Sequence, residues 1–306
     1  MLRRILVLLL IGFIVLSINT TVTAEEVPGS AAQEEWNPSS AGPITTWTAP
    51  LCDKGKFVIQ PFFFYNRTRG EFDADGKYHG GGKAQQYQEQ LFMQYGITDR
   101  LEVDGQVVYQ QNYVKQDGVS AHAQGFGDSY LFLRYCALEE KGWLPHITGL
   151  IQLKIPTGKS EHLDSEKMET DSMGTGSWDP GFGINLTKKL KPFIFHADAV
   201  YSFPHGGTRI DEVKTRYVSY LNYDFGVEYF LPKGFNLLLE VNNFLQGDQL
   251  QDGARIPSSD TRYLTVCPGI GWSNDKVQFL LAYQRTLWGV NADANDSVIL
   301  TGVYTF

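Results

Sequence analysis

The last ten residues of the chain read Ser297-Val298-Ile299-Leu300-Thr301-Gly302-Val303-Tyr304-Thr305-Phe306. In this stretch the even positions are apolar or aromatic, apart from one glycine, and three of the five odd positions, Ser297, Thr301 and Thr305, carry hydroxyl groups. Because successive side chains of an extended strand point to opposite faces, this stretch predicts a strand with one apolar face and a terminal aromatic ring. A soluble β-sandwich is the alternative to a membrane barrel at this point.

The same alternation recurs upstream. It is visible in residues 86–96, 101–109, 217–229 and 277–284. Strands of soluble proteins are typically about five to six residues long, whereas a tilted strand that spans a membrane needs roughly 9–11 residues. The length of these runs therefore favours membrane-spanning strands over the half-buried strands of a soluble sheet.

The segments between the alternating runs come in two sizes. Short turns are expected near residues 98–100, 139–142, 188–191, 232–234 and 273–276, and longer polar connections near 66–84, 114–124, 156–174, 204–214, 247–260 and 288–296. Short turns on one side and long loops on the other are typical of outer-membrane barrels. We therefore predict an all-β fold, a transmembrane antiparallel β-barrel of about 12 strands over residues 56–306, closed so that every backbone group is paired.

The N-terminus has the three parts of a secretory signal peptide. A basic start at Arg3 and Arg4 precedes an apolar run from Ile5 to Ile18, and small or branched residues follow up to Ala24. The apolar run is shorter than the roughly 20 residues of a spanning helix, which argues against the alternative of a membrane anchor. We expect residues 1–24 to be a signal peptide and the protein to reside in the bacterial outer membrane.

Residues 25–55 do not alternate and are rich in Ser, Ala, Pro and Thr. We interpret this stretch as a flexible periplasmic N-terminal lead. The alternative is a short plug anchored by Trp36, Trp47 and Cys52.

Composition excludes several classes of protein. The chain has 306 residues, of which 13% are aromatic, and a formal net charge of −8. A nucleic-acid binder would need a basic stripe, so no nucleic-acid partner is expected. Three cysteines, Cys52, Cys136 and Cys267, are too few for a disulfide framework, although one bridge stays open.

Five segments in order carry a family resemblance: Tyr95–Glu102, Gly125–Tyr130, Leu153–Gly158, Gly174–Asp179 and the closing aromatic strand. Together they resemble the family of outer-membrane transporters named for the meta-pathway of phenol degradation, over roughly residues 55–306. The resemblance implies a barrel that passes small, often aromatic or apolar, compounds. It also implies that the closing strand is recognised by the bacterial barrel-insertion machinery.

The polar face of the strands should point into the lumen. This assignment gives the candidate pore-lining residues Glu102, Asp104, Arg134, Lys154, His196, Asp198, Asp224, Glu228, Glu240 and Arg285. Facing rows of acids and bases would orient dipolar solutes in an open pore; a lumen closed by paired charges is the alternative. Tyr130, Phe132 and Tyr220 are candidates for inward aromatic rings.

The resulting prediction is passive passage of a small, aromatic or apolar solute, with no enzyme activity, no catalytic or metal-binding residue and no cofactor. Outer-membrane lipid, lipopolysaccharide, the insertion machinery and the solute are the expected partners. An outer-membrane enzyme acting on lipid, using His196, Asp198 or Ser202, is one alternative. A structural or adhesive barrel is another. The acidic loop residues, such as Asp164 and Glu166, are expected to be solvated rather than to bind a metal.

Overall fold

The computed structural model describes Trp36, Pro38 and residues 40–82, 84–116, 118–210 and 213–306. Twelve long strands form the fold: β1 (Phe57–Phe72), β2 (Ala84–Thr98), β3 (Leu101–Gln116), β4 (Ser129–Leu138), β5 (His146–Ile155), β6 (Ser177–Leu190), β7 (Phe193–Ser202), β8 (Tyr220–Phe230), β9 (Phe235–Gln246), β10 (Thr261–Ser273), β11 (Val277–Val290) and β12 (Ala292–Thr305). The signal-peptide prediction lies outside the described residues.

The strands close into a single antiparallel barrel. Each strand pairs with its neighbours in the chain, and β1 pairs with β12 through contacts such as Phe63 opposite Leu300. Closure leaves no long strand with an unpaired edge, so the backbone N–H and C=O groups of the wall are satisfied within the sheet. The predicted all-β barrel of about 12 strands is confirmed. Among the described residues, no helix combines the length and apolar character needed to cross a membrane.

The alternation of apolar and hydroxyl side chains predicted for the closing strand corresponds to the outer and inner faces of the barrel wall. In β12, Val298, Leu300 and Tyr304 are 40% or more exposed on the outer face, while Ile299 and Thr301 are buried inside. The other strands also present exposed Leu, Ile, Val, Phe and Tyr side chains to the outside. The outer surface is therefore an apolar band, and the polar residues lie within the barrel.

The two ends of the barrel differ. At what we call the turn end, short connections follow β2, β4, β6, β8 and β10; at the loop end, longer connections carry short strands of their own, such as Val119–Phe126. The prediction of a long loop over residues 288–296 is wrong. The chain reverses there at Asn291 alone, with φ 46°, a left-handed conformation that Asn tolerates because its side chain can hydrogen-bond locally.

Candidate pore and its plug

The lumen at the turn end is filled by the segment before β1, residues 40–52, which we call the plug. Ile44, Thr46 and Ala49 of the plug are almost fully buried. The expectation of a flexible lead over this stretch is wrong for residues 40–52, and the alternative of a short plug matches the structure. The reason is that the backbone N–H groups of the segment find carboxylates inside the barrel.

Glu240 on β9 makes the densest of these contacts. Its carboxylate accepts hydrogen bonds from the backbone N–H groups of Ile44, Thr45 and Thr46 at 2.7–2.9 Å. It also accepts from the hydroxyls of Thr45 and Thr46 at 2.8 and 2.9 Å. Consecutive N–H groups aimed at one point form an anion-binding nest, so the turn at residues 44–46 and this buried carboxylate stabilise each other.

A second contact region lies across the lumen, around Arg134 on β4. Its guanidinium is fully buried, bonds Glu102 at 2.6 Å and donates to the backbone carbonyl of Thr48. It also lies 5.0 Å from the ring of Trp47, a cation–π contact. Glu102 in turn accepts from the backbone N–H of Cys52. One ion pair of the wall thus binds both the middle and the end of the plug.

Further wall side chains complete the docking of the plug. The backbone N–H of Trp47 donates a hydrogen bond to the carboxylate of Asp198 at 2.8 Å, and the backbone N–H of Ala49 donates to the hydroxyl of Thr187 at 2.8 Å. Thr148 donates to the Ala49 carbonyl at 2.6 Å. These partners come from β5, β6 and β7, so the plug is bound around a large part of the barrel circumference.

His196 lies among these contacts and forms the arrangement closest to a catalytic triad. Its ring nitrogens bond Glu228 at 2.9 Å and the Thr187 hydroxyl at 3.1 Å, whereas Ser202 bonds Gln152 instead. Thr187 is 1% exposed and already bonded to the plug. A nucleophile must be free to reach its substrate, and this hydroxyl is already engaged by the backbone of Ala49 in the plug.

The loop end has its own polar cluster. Lys154 bonds Asp179 at 2.5 Å and lies 3.7 Å from Asp128, and the Tyr220 hydroxyl donates to Asp179 at 3.0 Å. Asp128 also accepts from the backbone N–H of Thr175 at 3.0 Å. The cluster therefore ties the loop of residues 156–176 to the inner wall.

This loop bends over the lumen. Its Thr170 carbonyl accepts from Asn112 at 2.9 Å, and Met173 is buried against inward residues of β3. Gly174 allows the close approach, because a Cβ there would lie 2.3 Å from an Asp128 oxygen. The glycine motifs that begin at Gly125 and Gly174 are thus joined in space by one carboxylate. Sequence reasoning missed Asp128 and Asp179, although both stand inside these motifs.

Aromatic rings line the lumen between the plug and the loop end. Trp47 of the plug contacts Phe92 and Phe132 with ring centroids 5.5 and 4.9 Å apart. Phe132 stacks on Tyr130 at 6.0 Å. On the opposite strands, Phe244 stacks between Tyr220 and Tyr263 at 5.5 and 5.1 Å. The three predicted aromatic candidates, Tyr130, Phe132 and Tyr220, all point inward.

Beside the Tyr263 ring a cavity of about 770 Å³ opens at the loop end. Its remaining lining is mostly polar and includes Glu71, Asp293, Asn66 and Gln284, with Phe72, Ala74 and Ala292 as apolar members. The described lumen therefore has two levels: an open, largely polar and partly aromatic chamber at the loop end, and a level occupied by the plug, beside which a cavity of about 460 Å³ remains.

The structure places nine of the ten candidate pore-lining residues inside the barrel, in two groups. Glu102, Asp104, Arg134, His196, Asp198, Glu228 and Glu240 lie at the level of the plug, Asp224 lies opposite Asp198, and Lys154 lies in the cluster at the loop end. A pore-lining role for them stays a prediction. The sequence analysis missed several wall residues, including Thr148, Thr187 and Gln278. Hydroxyl and amide side chains are common in any strand, so these residues carry no distinguishing signal.

The prediction that Arg285 faces the lumen is wrong. In β11 the even positions, such as Leu280 and Thr286, are buried inside, while Arg285 shares the outer face with Leu281 and Tyr283. It lies 3.7 Å from Asp296. A charge is tolerated on the outer face here because Asp296 of the neighbouring strand β12 lies beside it.

Cysteine and metal chemistry have little support. Cys52, Cys136 and Cys267 are all unpaired thiols. Burial, together with nearby Glu102, raises the pKa of the Cys52 thiol to about 11, so this thiol stays protonated near neutral pH. Within the part of the chain that the structure describes, no group of three or more His, Cys, Asp or Glu side chains could hold a metal ion.

Comparison with known proteins agrees with this architecture. The family model described as "Putative MetA-pathway of phenol degradation" matches residues 71–297. Among solved structures, the COG4313 outer membrane channel from Pseudomonas putida F1 has a TM-score of 0.72 at 15% identity, over 86% of this chain and 100% of that chain. The NanC porin has a TM-score of 0.51 at 9% identity, over 80% and 98% of the two chains. No curated protein sequence matches this chain.

Proposed function

The chain belongs to the family described as the MetA-pathway of phenol degradation, and we propose that it is a channel of the bacterial outer membrane for passive passage of a small, aromatic or apolar solute. The observation that carries the proposal is the ring-lined chamber that opens at the loop end of a closed barrel. In this proposal the apolar band contacts lipid, the turn end faces the periplasm and the loop end faces the outside.

The chamber suits an aromatic solute for a physical reason. Aromatic pairs prefer offset-stacked or edge-to-face contacts and gain about 0.5–1.5 kcal/mol beyond the burial of area. Phe244 and Tyr263 already stack on each other at 5.1 Å, and Tyr263 lines the cavity wall. A phenol ring that extends this stack would keep its hydroxyl near the amide and carboxylate groups of the same wall.

Passage then depends on the plug. The barrel wall supplies carboxylates, hydroxyls and Arg134 to the backbone of residues 40–52, so the solute must pass beside this segment or wait until it moves. We therefore propose a channel that is closed at rest and opens when the plug moves away from the wall. This is a channel mechanism without covalent chemistry, and it needs no cofactor.

Two alternatives fit the wall less well. An enzyme acting on lipid would need an accessible nucleophile, and the Thr187–His196–Glu228 arrangement is covered by the plug. An adhesive barrel would rely on the loops alone, and it offers no reason for the inward aromatic stack.

The test is single-channel conductance of the full mature chain in a planar bilayer, with phenol and small aromatic acids as blockers. We expect discrete openings that phenol blocks, and weaker block in Phe244→Leu. The matched control is Phe225→Leu, because Phe225 is 40% exposed on the outer face. A folded barrel that never opens would transfer support to the enzyme or adhesive alternative, and equal block in all three proteins would refute the aromatic chamber.

A further inference from the structure

The outer face at the loop end carries four cations. Arg67, Arg69, Arg285 and Lys115 lie toward the loop ends of β1, β3 and β11. Asp296 pairs with Arg69 at 2.9 Å and with Arg285 at 3.7 Å. These cations stand on a chain whose formal net charge is −8.

Two of these cations form no ion pair with any carboxylate of the described residues. Arg67 and Lys115 are both exposed, and no carboxylate of the described residues forms an ion pair with either side chain. Arg67 stands opposite Asp296 in the strand register, but that carboxylate is already engaged by Arg69 and Arg285. Both side chains are exposed on the outer face, where an anion from outside can reach them.

The two cations share one pocket. A cavity of about 490 Å³ is lined by Arg67, Lys115, Gln85 and Thr68 together with Gly82, Ala84 and Gly118. Among the described residues, Arg67 and Lys115 are its charged lining residues, and the small residues leave room for a bulky group. The pocket therefore presents two positive charges and several hydrogen-bonding groups to one ligand.

The position of the pocket identifies its environment. Directly next to it on the outer face, Tyr65, Tyr87 and Tyr113 form a continuous aromatic row, with ring centroids 5.2 and 5.9 Å apart. Tyrosine rings settle at the level of lipid headgroups because one end of the ring is apolar and the other is polar. The cations stand one strand position beyond this row, at Arg67 and Lys115, where the phosphates of a lipid headgroup would lie.

We propose that this pocket binds a phosphate group of an outer-leaflet glycolipid. The guanidinium of Arg67 matches a phosphate in a bidentate manner, and the Lys115 ammonium adds a second charge. Gln85, on the same face as Arg67, is placed for the sugar to which the phosphate is attached. Arg285, which faces outward rather than into the lumen, belongs to the same group of cations. The binding does not depend on whether the barrel conducts.

The test is native mass spectrometry of the detergent-purified full chain titrated with bisphosphorylated lipid A. Removing one charge-assisted hydrogen bond should weaken binding by about tenfold or more, so Arg67→Gln/Lys115→Gln should have an apparent Kd at least roughly tenfold higher. The matched control is Lys141→Gln/Lys233→Gln, which removes two exposed cations at the turn end and should bind like the unaltered protein.

Two further arms need only the unaltered protein and so do not depend on how well a variant folds. Enzymatically dephosphorylated lipid A should bind the unaltered protein weakly. Its affinity should match the affinity of intact lipid A for the Arg67→Gln/Lys115→Gln variant. Inorganic phosphate at the same concentration should not displace the intact lipid. Equal affinity for both lipids, or equal affinity of the two double variants, would overturn the proposal. Displacement by inorganic phosphate would mean a free-phosphate site and would overturn the glycolipid assignment.

Discussion

At the scale of the single residue, Glu240 shows how one buried carboxylate can hold a whole segment. A carboxylate taken out of water needs partners, because an unpaired buried charge is costly. Glu240 is fully buried, and its partners are the N–H and hydroxyl groups of residues 44–46. The plug therefore satisfies the charge, and the charge in turn keeps the plug in the lumen.

Neutralising this charge should loosen the plug. In Glu240→Gln the acceptor loses its charge, and hydrogen bonds to charged groups contribute about 1.5–3 kcal/mol each against about 1 kcal/mol for neutral ones. We expect open probability in planar bilayers to rise by about tenfold or more. Glu89→Gln is the control, because Glu89 is exposed on the outer face. Unchanged gating in Glu240→Gln would show that the plug does not limit conduction.

At the scale of the element, the plug and β2 meet at a glycine. The backbone N–H of Gly55 donates to the Gly96 carbonyl at 2.7 Å, and Gly96 N–H donates to the Lys56 carbonyl at 3.2 Å. A Cβ on Gly96 would lie 2.2 Å from the carbonyl oxygen of Asp53. The chain can pass from the plug into β1 along this path only because residue 96 has no side chain.

The variant Gly96→Ala should therefore displace the end of the plug while the barrel still closes. We expect faster proteolysis near residues 50–55 and more frequent openings in bilayers. Gly149→Ala is the matched control, since a Cβ there meets nothing within 4 Å. The steric argument fails if both variants resist protease as the unaltered protein does.

The connection after β1 gives a pH-dependent element outside the barrel wall. A hydrogen bond from His79, at 2.6 Å, and backbone bonds from Lys77 and Asp75 hold the pKa of Asp73 below its ordinary value. A carboxylate whose pKa is lowered in the folded loop stabilises the loop at pH values above the ordinary pKa of the carboxylate. This stabilisation disappears as the pH falls through the lowered value.

We therefore expect amide hydrogen exchange at Asp75 and Lys77 to lose protection as the pH is lowered below the ordinary range of aspartate, after correction for the intrinsic exchange rate. In Asp73→Asn the two amides should have low protection at every pH. If amide protection in Asp73→Asn still fell with pH as it does in the unaltered loop, this explanation would be contradicted.

At the scale of the whole molecule, acidic side chains predominate inside the barrel. Among the described residues, Arg134 and Lys154 face a larger set of buried acidic side chains that includes Glu102, Glu228 and Glu240. Low-dielectric walls concentrate this field in the lumen. An open state of the channel should therefore favour cations over anions.

This preference can be measured as a reversal potential across a salt gradient. We expect cation selectivity in the unaltered channel and a smaller reversal potential in Asp224→Asn, because Asp224 is a half-buried inward carboxylate near the path above the plug. Substitution of the outward Glu89 by Gln should leave the reversal potential unchanged. Anion selectivity, or equal values in all three proteins, would contradict the role of the lumen charge.

The sequence by itself determined the barrel. The period-two pattern, the strand lengths and the apolar face of residues 298–306 each depend on how neighbouring residues alternate, and alternation is a local property. It also determined which side of the wall holds Glu102, Arg134 or Glu240. The pattern failed at Arg285, because a charge on the outer face is tolerated where Asp296 of the neighbouring strand lies beside it.

Only the tertiary structure decided where residues 40–52 lie. The groups that hold this segment are mostly its backbone N–H and C=O groups, which every residue except proline shares, so its sequence carries no signal for docking. Their partners, Glu102, Asp198 and Glu240, stand on three strands far apart in the chain. They come together only when β1 pairs with β12 and closes the barrel around the plug.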